Sequence, residues 1–197
     1  MNKELLLKVK NHCKTVLERG RCACLAFHNW QHTKEVVFHS KHIAQEEGLD
    51  QVAIEEIVIA AYFHDIGNDK EALNHEKTSC EYARLFLTQN KYCDQGIRNV
   101  LSLINATAMP QRPETIAQKV ICDADLAHLG QKNFLEKNNN LRREWEQHHN
   151  ISFTDGDWTS LNVKFLNDHL FHTDFAQSHY NKQKNENLSA LKQEPTS

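Results

Sequence analysis

Apolar residues at Leu5, Leu6, Val9, Cys13, Val16 and Leu17 recur at i, i+3 and i+4, the spacing that gives an α-helix one apolar stripe. Gly20 stands where the C-cap of that helix is expected. A second helical pattern covers about 30–47, through Val36, Val37, Ile43 and Ala44, with Asn29 as its N-cap and Gly48 as its stop. Asp50 then caps a third helix, QVAIEEIVIAAYFHD, whose second half is apolar on nearly every face. Such a helix is expected to be buried, so it delivers its last residues into the interior. Further helical patterns cover about 75–89, 95–106, 114–129 (after the break at Pro110 and Pro113), 134–148 and 158–171. Strand-like alternation is scarce. The pattern predicts an all-α, single-domain bundle over 1–180, and the polar stretch 181–197 reads as a C-terminal tail, a partly frayed helix followed by a loose end.

With 197 residues the chain is long enough for one real core. Lys and Arg total 23 against 26 Asp and Glu, a formal net charge of −3, and no dense basic run is present, so a nucleic-acid polymer is not the expected partner. The N-terminal apolar run is only three residues long, and no stretch approaches the 18 or more of a membrane span. The six cysteines form no CxxC pair and are read as buried apolar residues of a reduced, cytoplasmic protein with no membrane partner. The unusual feature is histidine, with 13 copies.

The third helix ends in Phe63-His64-Asp65-Ile66-Gly67, which places an imidazole and a carboxylate side by side at the end of an apolar segment. A buried carboxylate needs a cation, a donor or a metal. A hydrogen-bonded His–Asp pair is the plain reading of the dipeptide alone. Two other segments change that reading: Phe27-His28-Asn29-Trp30-Gln31-His32-Thr33 upstream and Ile121-Cys122-Asp123-Ala124-Asp125-Leu126 downstream. His32, His64, Asp65 and Asp125 would make a mixed imidazole–carboxylate set suited to one divalent ion, Mn, Fe, Co, Ni, Zn or Mg. Four protein ligands leave positions on a six-coordinate ion for water and substrate. If the first segment is helical through His28, an i, i+4 spacing puts His28 and His32 on one face.

The ordered set His32, His64-Asp65 and Asp125 resembles the signature of the HD-domain metal-dependent phosphohydrolases over about 25–130. HNWQHTKEV is similar to the HNxxHxxxV segment that many HD enzymes share with the cyclic nucleotide phosphodiesterases, and DADLAHLG to the stretch carrying the last metal ligand. The resemblance implies an HD/phosphodiesterase-like helical bundle with its metal-binding core at about 25–130. It makes His32, His64, Asp65 and Asp125 metal ligands, with Asp65 also catalytic, and His28 the acid that protonates the leaving group. It further implies a phosphate ester of a small soluble metabolite or nucleotide as substrate, attacked by a metal-activated water. Binuclear relatives carry another histidine shortly after the HD pair; Asn68 stands there, so a mononuclear site is favoured and a second metal stays open. His75, Glu76 and Thr107 are read as substrate-binding, with a capping turn after Asn74 as the alternative for His75 and Glu76.

Asp123 competes with Asp125 as ligand, but the i, i+2 spacing turns them to different faces and the resemblance falls on Asp125. Lys77, Arg84, Arg98, Arg112 and Lys119 are read as solvated surface. His12, His39, His42, His128, His148, His149, His169, His172 and His179 fit no ligand spacing and are read as surface or hydrogen-bonded. Trp30, Trp145 and Trp158 are read as helix packing. An HD-fold di-iron oxygenase and a non-catalytic nucleotide-sensing module are the other two functional classes.

Overall fold

The computed structural model describes residues 1–70, 74–148 and 151–193. These form nine α-helices: α1 (Lys3–Arg19), α2 (Trp30–Glu46), α3 (Gln51–Phe63), α4 (His75–Gln89), α5 (Asp94–Ala106), α6 (Ile116–Asp125), α7 (Phe134–His148), α8 (Asp155–Asp168) and α9 (Asp174–Gln193). No strand is present among the described residues, and none of their helices is long and apolar enough to cross a membrane. His149 and residues 194–197 of the expected tail lie outside the described residues.

Helix α3 is the axis of the bundle. The Asp50 carboxylate accepts the Val52 and Ala53 amides at 2.9 and 2.8 Å and starts it. Ile54, Ile57, Ile59, Ala60, Ala61 and Phe63 are then buried on all sides, against α1, α2, α4, α5 and α6. Each large aliphatic side chain removed from water in this way stabilises the fold by about 1.5–3 kcal/mol. The chain leaves α3 through His64 and Asp65 into a short 3-10 turn, Ile66–Asp69. Ser79 of α4 stitches that turn down: its hydroxyl accepts the Gly67 amide at 2.9 Å and donates to the His64 carbonyl at 2.7 Å. The approach requires glycine, because a Cβ at position 67 would stand 2.1 Å from the His75 carbonyl oxygen.

Several boundaries differ from the sequence expectation. Helix α2 begins at Trp30 with Asn29 extended as its N-cap, as expected, but His28 therefore precedes the helix and the i, i+4 condition for His28 and His32 is not met. Helix α6 begins at Ile116, closed by a capping box between Thr115 and Gln118, and stops at Asp125 before a separate turn, Ala127–Gly130. Helix α8 starts three residues earlier than expected because Thr154 accepts the Asp157 amide. Cys13, Cys22 and Cys122 are buried as expected, but Cys24 closes an exposed turn and Cys93 precedes α5 in solvent, while Cys80 is half-buried.

The largest difference concerns the stretch read as a tail from 181. Helix α9 continues to Gln193 and buries Lys184, Asn187 and Leu191. Its polar composition hid this, because two of those buried residues are held by hydrogen bonds rather than by apolar contact. The Asn187 amide donates to the Leu129 and Gln131 carbonyls, each at 2.8 Å, and Lys184 donates to the His169 carbonyl. Asn187→Ala is expected to destabilise the fold by about 1–3 kcal/mol, since it takes the donor from the Leu129 carbonyl and leaves the Gln131 carbonyl with only the Phe134 amide. Urea unfolding of the two proteins checks this, and an unchanged midpoint would show that the Asn187 hydrogen bonds do not hold α9 in place.

Candidate metal centre

Three buried segments converge. Asn29 braces the first: its side-chain oxygen accepts the Gln31 and His32 amides at 2.9 and 3.3 Å, and its amide donates to the Leu25 and Ala26 carbonyls at 3.1 and 3.2 Å. This sets His32 on the first turn of α2, facing inward. His64 closes α3 with Nδ1 2.9 Å from the Ala61 carbonyl. A carbonyl only accepts, so Nδ1 carries a hydrogen and Nε2 is the nitrogen turned to the interior, available as a ligand once a metal displaces its proton. Asp125 comes from the last residue of α6.

The structure brings His32, His64 and Asp125 into one group whose ligand atoms lie within 4.8 Å of one another. Asp125 Oδ1 is 3.3 Å from His32 Nε2 and 3.5 Å from His64 Nε2. Asp65 Oδ2 approaches the same two nitrogens at 3.4 and 3.2 Å. Close as they are, His32 Nε2, His64 Nε2 and Asp65 Oδ2 have no hydrogen-bond partner and are buried. Orphaned buried polar atoms are rare because each costs desolvation without return. Lone pairs converging from two imidazoles and two carboxylates are a donor set that a divalent cation satisfies, so the residues fit such an ion.

The other expected site residues surround this cluster. His75 Nε2 lies 3.2 Å from Asp65 Oδ1 and 3.6 Å from Glu76 Oε1, so Asp65 faces the ligand imidazoles with one oxygen and His75 with the other. Thr107 is buried, and its hydroxyl donates to the Ile104 carbonyl at 2.8 Å, leaving it able only to accept from a ligand. Asn68 is buried within the Ile66–Asp69 turn with its side-chain nitrogen unpartnered. Asp123 faces away from the cluster. Its carboxylate accepts the His172 and Thr173 amides at 2.8 Å and the Thr173 hydroxyl at 2.7 Å, which anchors the start of α9.

Two neighbours escaped sequence reasoning. Glu144 of α7, 2% exposed, accepts the Phe27 and His28 amides at 2.7 and 2.9 Å through one oxygen and pairs with His28 Nδ1 through the other. Nothing in the local sequence marks it, since it acts on residues more than a hundred positions away. His128, read as ordinary, lines the same cavity with Nδ1 3.2 Å from the Asp125 carbonyl. Its place in DADLAHLG, three residues after Asp125, was the available signal. Trp145 and Trp158 also line the cavity, beyond the packing role expected of them. Arg84, Arg98 and Arg112 border a separate open depression.

The electrostatics follow from burial and pairing. Burial alone would push the His28 imidazolium down, but the Asp65 carboxylate and the paired Glu144 raise its pKa to about 9. For His64 burial is likewise outweighed by Asp65 and Asp125, and its pKa lies well above the ordinary value. Asp65 and Asp125 would be raised by burial, yet the adjacent histidines hold both below the usual carboxylate range. His128 goes the other way: burial and the neighbouring His32 depress it to about 4, so it is neutral at physiological pH.

An all-α bundle that gathers His32 from α2, His64 and Asp65 from the end of α3 and Asp125 from α6 around one buried point is a helical fold that could hold a divalent metal. Residues 29–130 match the HD domain, and the chain belongs to the HD domain family. Similar folds include a predicted HD superfamily hydrolase from an uncultured Thermotogales bacterium, 18% identical over 95% of this chain and 89% of that one, with a TM-score of 0.62. Bacillus subtilis YpgQ, solved in complex with ADP, is 14% identical over 95% and 94%, with a TM-score of 0.68. The Lin1889 protein from Listeria innocua is 21% identical over 98% and 97%, with a TM-score of 0.64. No protein of curated function matches the chain.

Two outcomes are expected of this centre. Mn2+ or Zn2+ at 100 times its Kd should stabilise chelator-treated protein by about 2.7 kcal/mol, and His64→Ala should abolish the effect. Thermal unfolding with and without metal measures it; equal stabilisation of the variant would place the ion elsewhere. The second concerns pH. A histidine whose pKa rises from 6.5 to about 9 on folding adds stability that is complete below 6.5 and lost as pH climbs through 9. Chelator-treated protein should therefore weaken between those values, with His64 acting in the same sense, and His28→Asn should make the decline shallower. Urea midpoints across that range are the measurement.

Proposed function

We propose that the protein is a metal-dependent phosphohydrolase that cleaves a phosphate ester of a small soluble metabolite or nucleotide. The observation that carries the reading is the shared cavity: Asp65 and Asp125 of the donor set line the same space as His28, which Glu144 holds from behind. A cation alone fits many functions, but a cation beside an oriented histidine fits hydrolysis of a poor leaving group. ADP in the complex of the fold neighbour YpgQ is a phosphorylated ligand of the same general class.

A divalent ion held by His32, His64, Asp65 and Asp125 would lower the pKa of water toward neutrality and offset charge on the phosphoryl oxygens. The chain's own residues do the rest. Glu144 fixes His28 at Nδ1, so the imidazolium presents Nε2–H to the cavity. In the reaction a water oxygen bonds to phosphorus as the ester P–O bond breaks, and the departing oxygen takes the Nε2 proton, giving an alcohol and inorganic phosphate. His28 is then neutral but remains bound to Glu144 through Nδ1–H, in position to be reprotonated. Asp65 holds His75 at the edge of the site through its second oxygen. The apolar side chains opposite, Leu126 and Phe165 among them, exclude bulk water and strengthen these electrostatic interactions.

His28→Ala should slow alkyl phosphate hydrolysis by about 10²–10⁴-fold, the range for a general acid. p-Nitrophenyl phosphate, whose leaving group needs no proton, should lose much less. Turnover of both esters by metal-loaded enzyme is the test, and equal losses would remove the acid role from His28. If Mn, Co, Ni, Mg and Zn all fail to support phosphate release from any phosphoester, the hydrolase reading itself is wrong.

A further inference from the structure

The cavity is chemically two-sided. At one end stand the metal-centre groups with His28, His75, Glu76 and His128. A second wall is lined by Leu141, Trp145, Trp158 and Phe165, with Leu161 at a half-open rim, 41% exposed, while the Phe27 ring packs against His28, His32 and His128. The space measures about 350 Å³, at the small end of ligand pockets.

Even the polar atoms of the second wall are turned inward and satisfied. Trp158 Nε1 donates to Asn138 Oδ1 at 2.6 Å, the Asn138 amide donates to Asn162 Oδ1, and the Asn162 amide donates to the Trp158 carbonyl at 2.8 Å. The aromatic rings brace one another edge to face, Trp145 against Trp158 at 5.8 Å and Phe153 against Trp158 at 5.0 Å. This wall offers a ligand flat apolar surface and few hydrogen-bonding groups. Among the described residues that line the cavity there is no lysine or arginine, whereas three carboxylates, Asp65, Glu76 and Asp125, do line it.

We infer that the substrate is a phosphate monoester whose organic part carries a flat or apolar ring, and that di- and triphosphates are disfavoured. The inference rests on the phosphohydrolase reading and sharpens its substrate. One phosphoryl group suffices for the metal end, where a cation can offset its charge. A second or third would project toward carboxylates or onto apolar rings; the His28 imidazolium is engaged by Glu144 and the leaving oxygen, and no lysine or arginine of the lining is there to pair with the added charge, which costs desolvation without compensation. A ring, by contrast, gains burial and stacking against Trp145 and Phe165.

The test compares esters that share a leaving oxygen. Adenosine 5′-monophosphate and ribose 5-phosphate both release a primary alcohol and differ by the ring; benzyl phosphate and glycerol 3-phosphate form a second pair. With Mn2+-loaded full-length protein, the ring-bearing member of each pair should show kcat/KM at least about tenfold higher, within the range of a stacked base. ATP and inorganic pyrophosphate should be poorer than adenosine 5′-monophosphate, and Leu161→Lys, at the exposed rim, should raise the ATP to monophosphate ratio. Equal rates within both pairs, or preference for ATP or pyrophosphate, would overturn the inference.

A metal-free measurement separates this from the hydrolase reading. Adenosine titrated into chelator-treated protein should shift the Trp145 indole N–H resonance saturably, and ribose should not. If nothing is hydrolysed but adenosine alone shifts that signal, the cavity assignment stands and the hydrolase reading falls. If esters are hydrolysed but adenosine and ribose behave alike, the reverse holds.

Discussion

Two imidazole nitrogens and two carboxylates meet where α3 ends, and their mutual placement constrains the rest of the molecule. Burying such groups without a shared cation costs several kcal/mol per charge. The sequence accepts that cost by making α3 apolar all round, so its end lies in the interior whatever the outer helices do. The surroundings then keep each lone pair aimed inward. Asn29 starts α2 one residue before Trp30, the Ala61 carbonyl fixes the His64 ring, and α6 ends on Asp125. Gly67 lets α4 approach closely enough for His75 to reach the far oxygen of Asp65.

The second requirement is an oriented proton donor, and it is met by distant parts of the chain. His28 lies in a bend that precedes α2, with no helix to hold it. Glu144 supplies the missing restraint, accepting two consecutive backbone amides with one oxygen and the imidazole with the other. Backbone and side chain are thus fixed by one carboxylate. A shift of α7 moves the His28 backbone and ring together, so the geometry of the pair survives small motions of the bundle.

Much of this was legible in the sequence. The apolar periodicity gave the helices, and the order His32, His64-Asp65, Asp125 marked residues that the fold brings together. What stayed hidden has physical reasons. Glu144 acts through contacts more than a hundred residues away, which no local pattern encodes. Residues 181–193 looked like a tail because α9 is anchored by Asn187 and Lys184, polar residues that periodicity counts as solvent-facing. The apolar wall from Trp145, Trp158 and Phe165 was read as packing, since a ring that lines a cavity and a ring that fills a core share one sequence signature.

Helix α6 shows how one segment serves fold and site at once. Asp123 and Asp125 are two residues apart, so they leave the helix on different faces. Asp123 turns toward the start of α9, where two backbone amides and the Thr173 hydroxyl satisfy it. Asp125 turns toward the Nε2 atoms of His32 and His64, which it shares with Asp65. The same residue type becomes a rivet on one side and a ligand on the other because the partners differ: fixed donors complete one carboxylate, while converging lone pairs leave the other dependent on a cation. The rivet also serves the site. By tying α6 to α9 it holds the Ala127–Gly130 turn, against which α9 packs, and with it His128 beside the cavity.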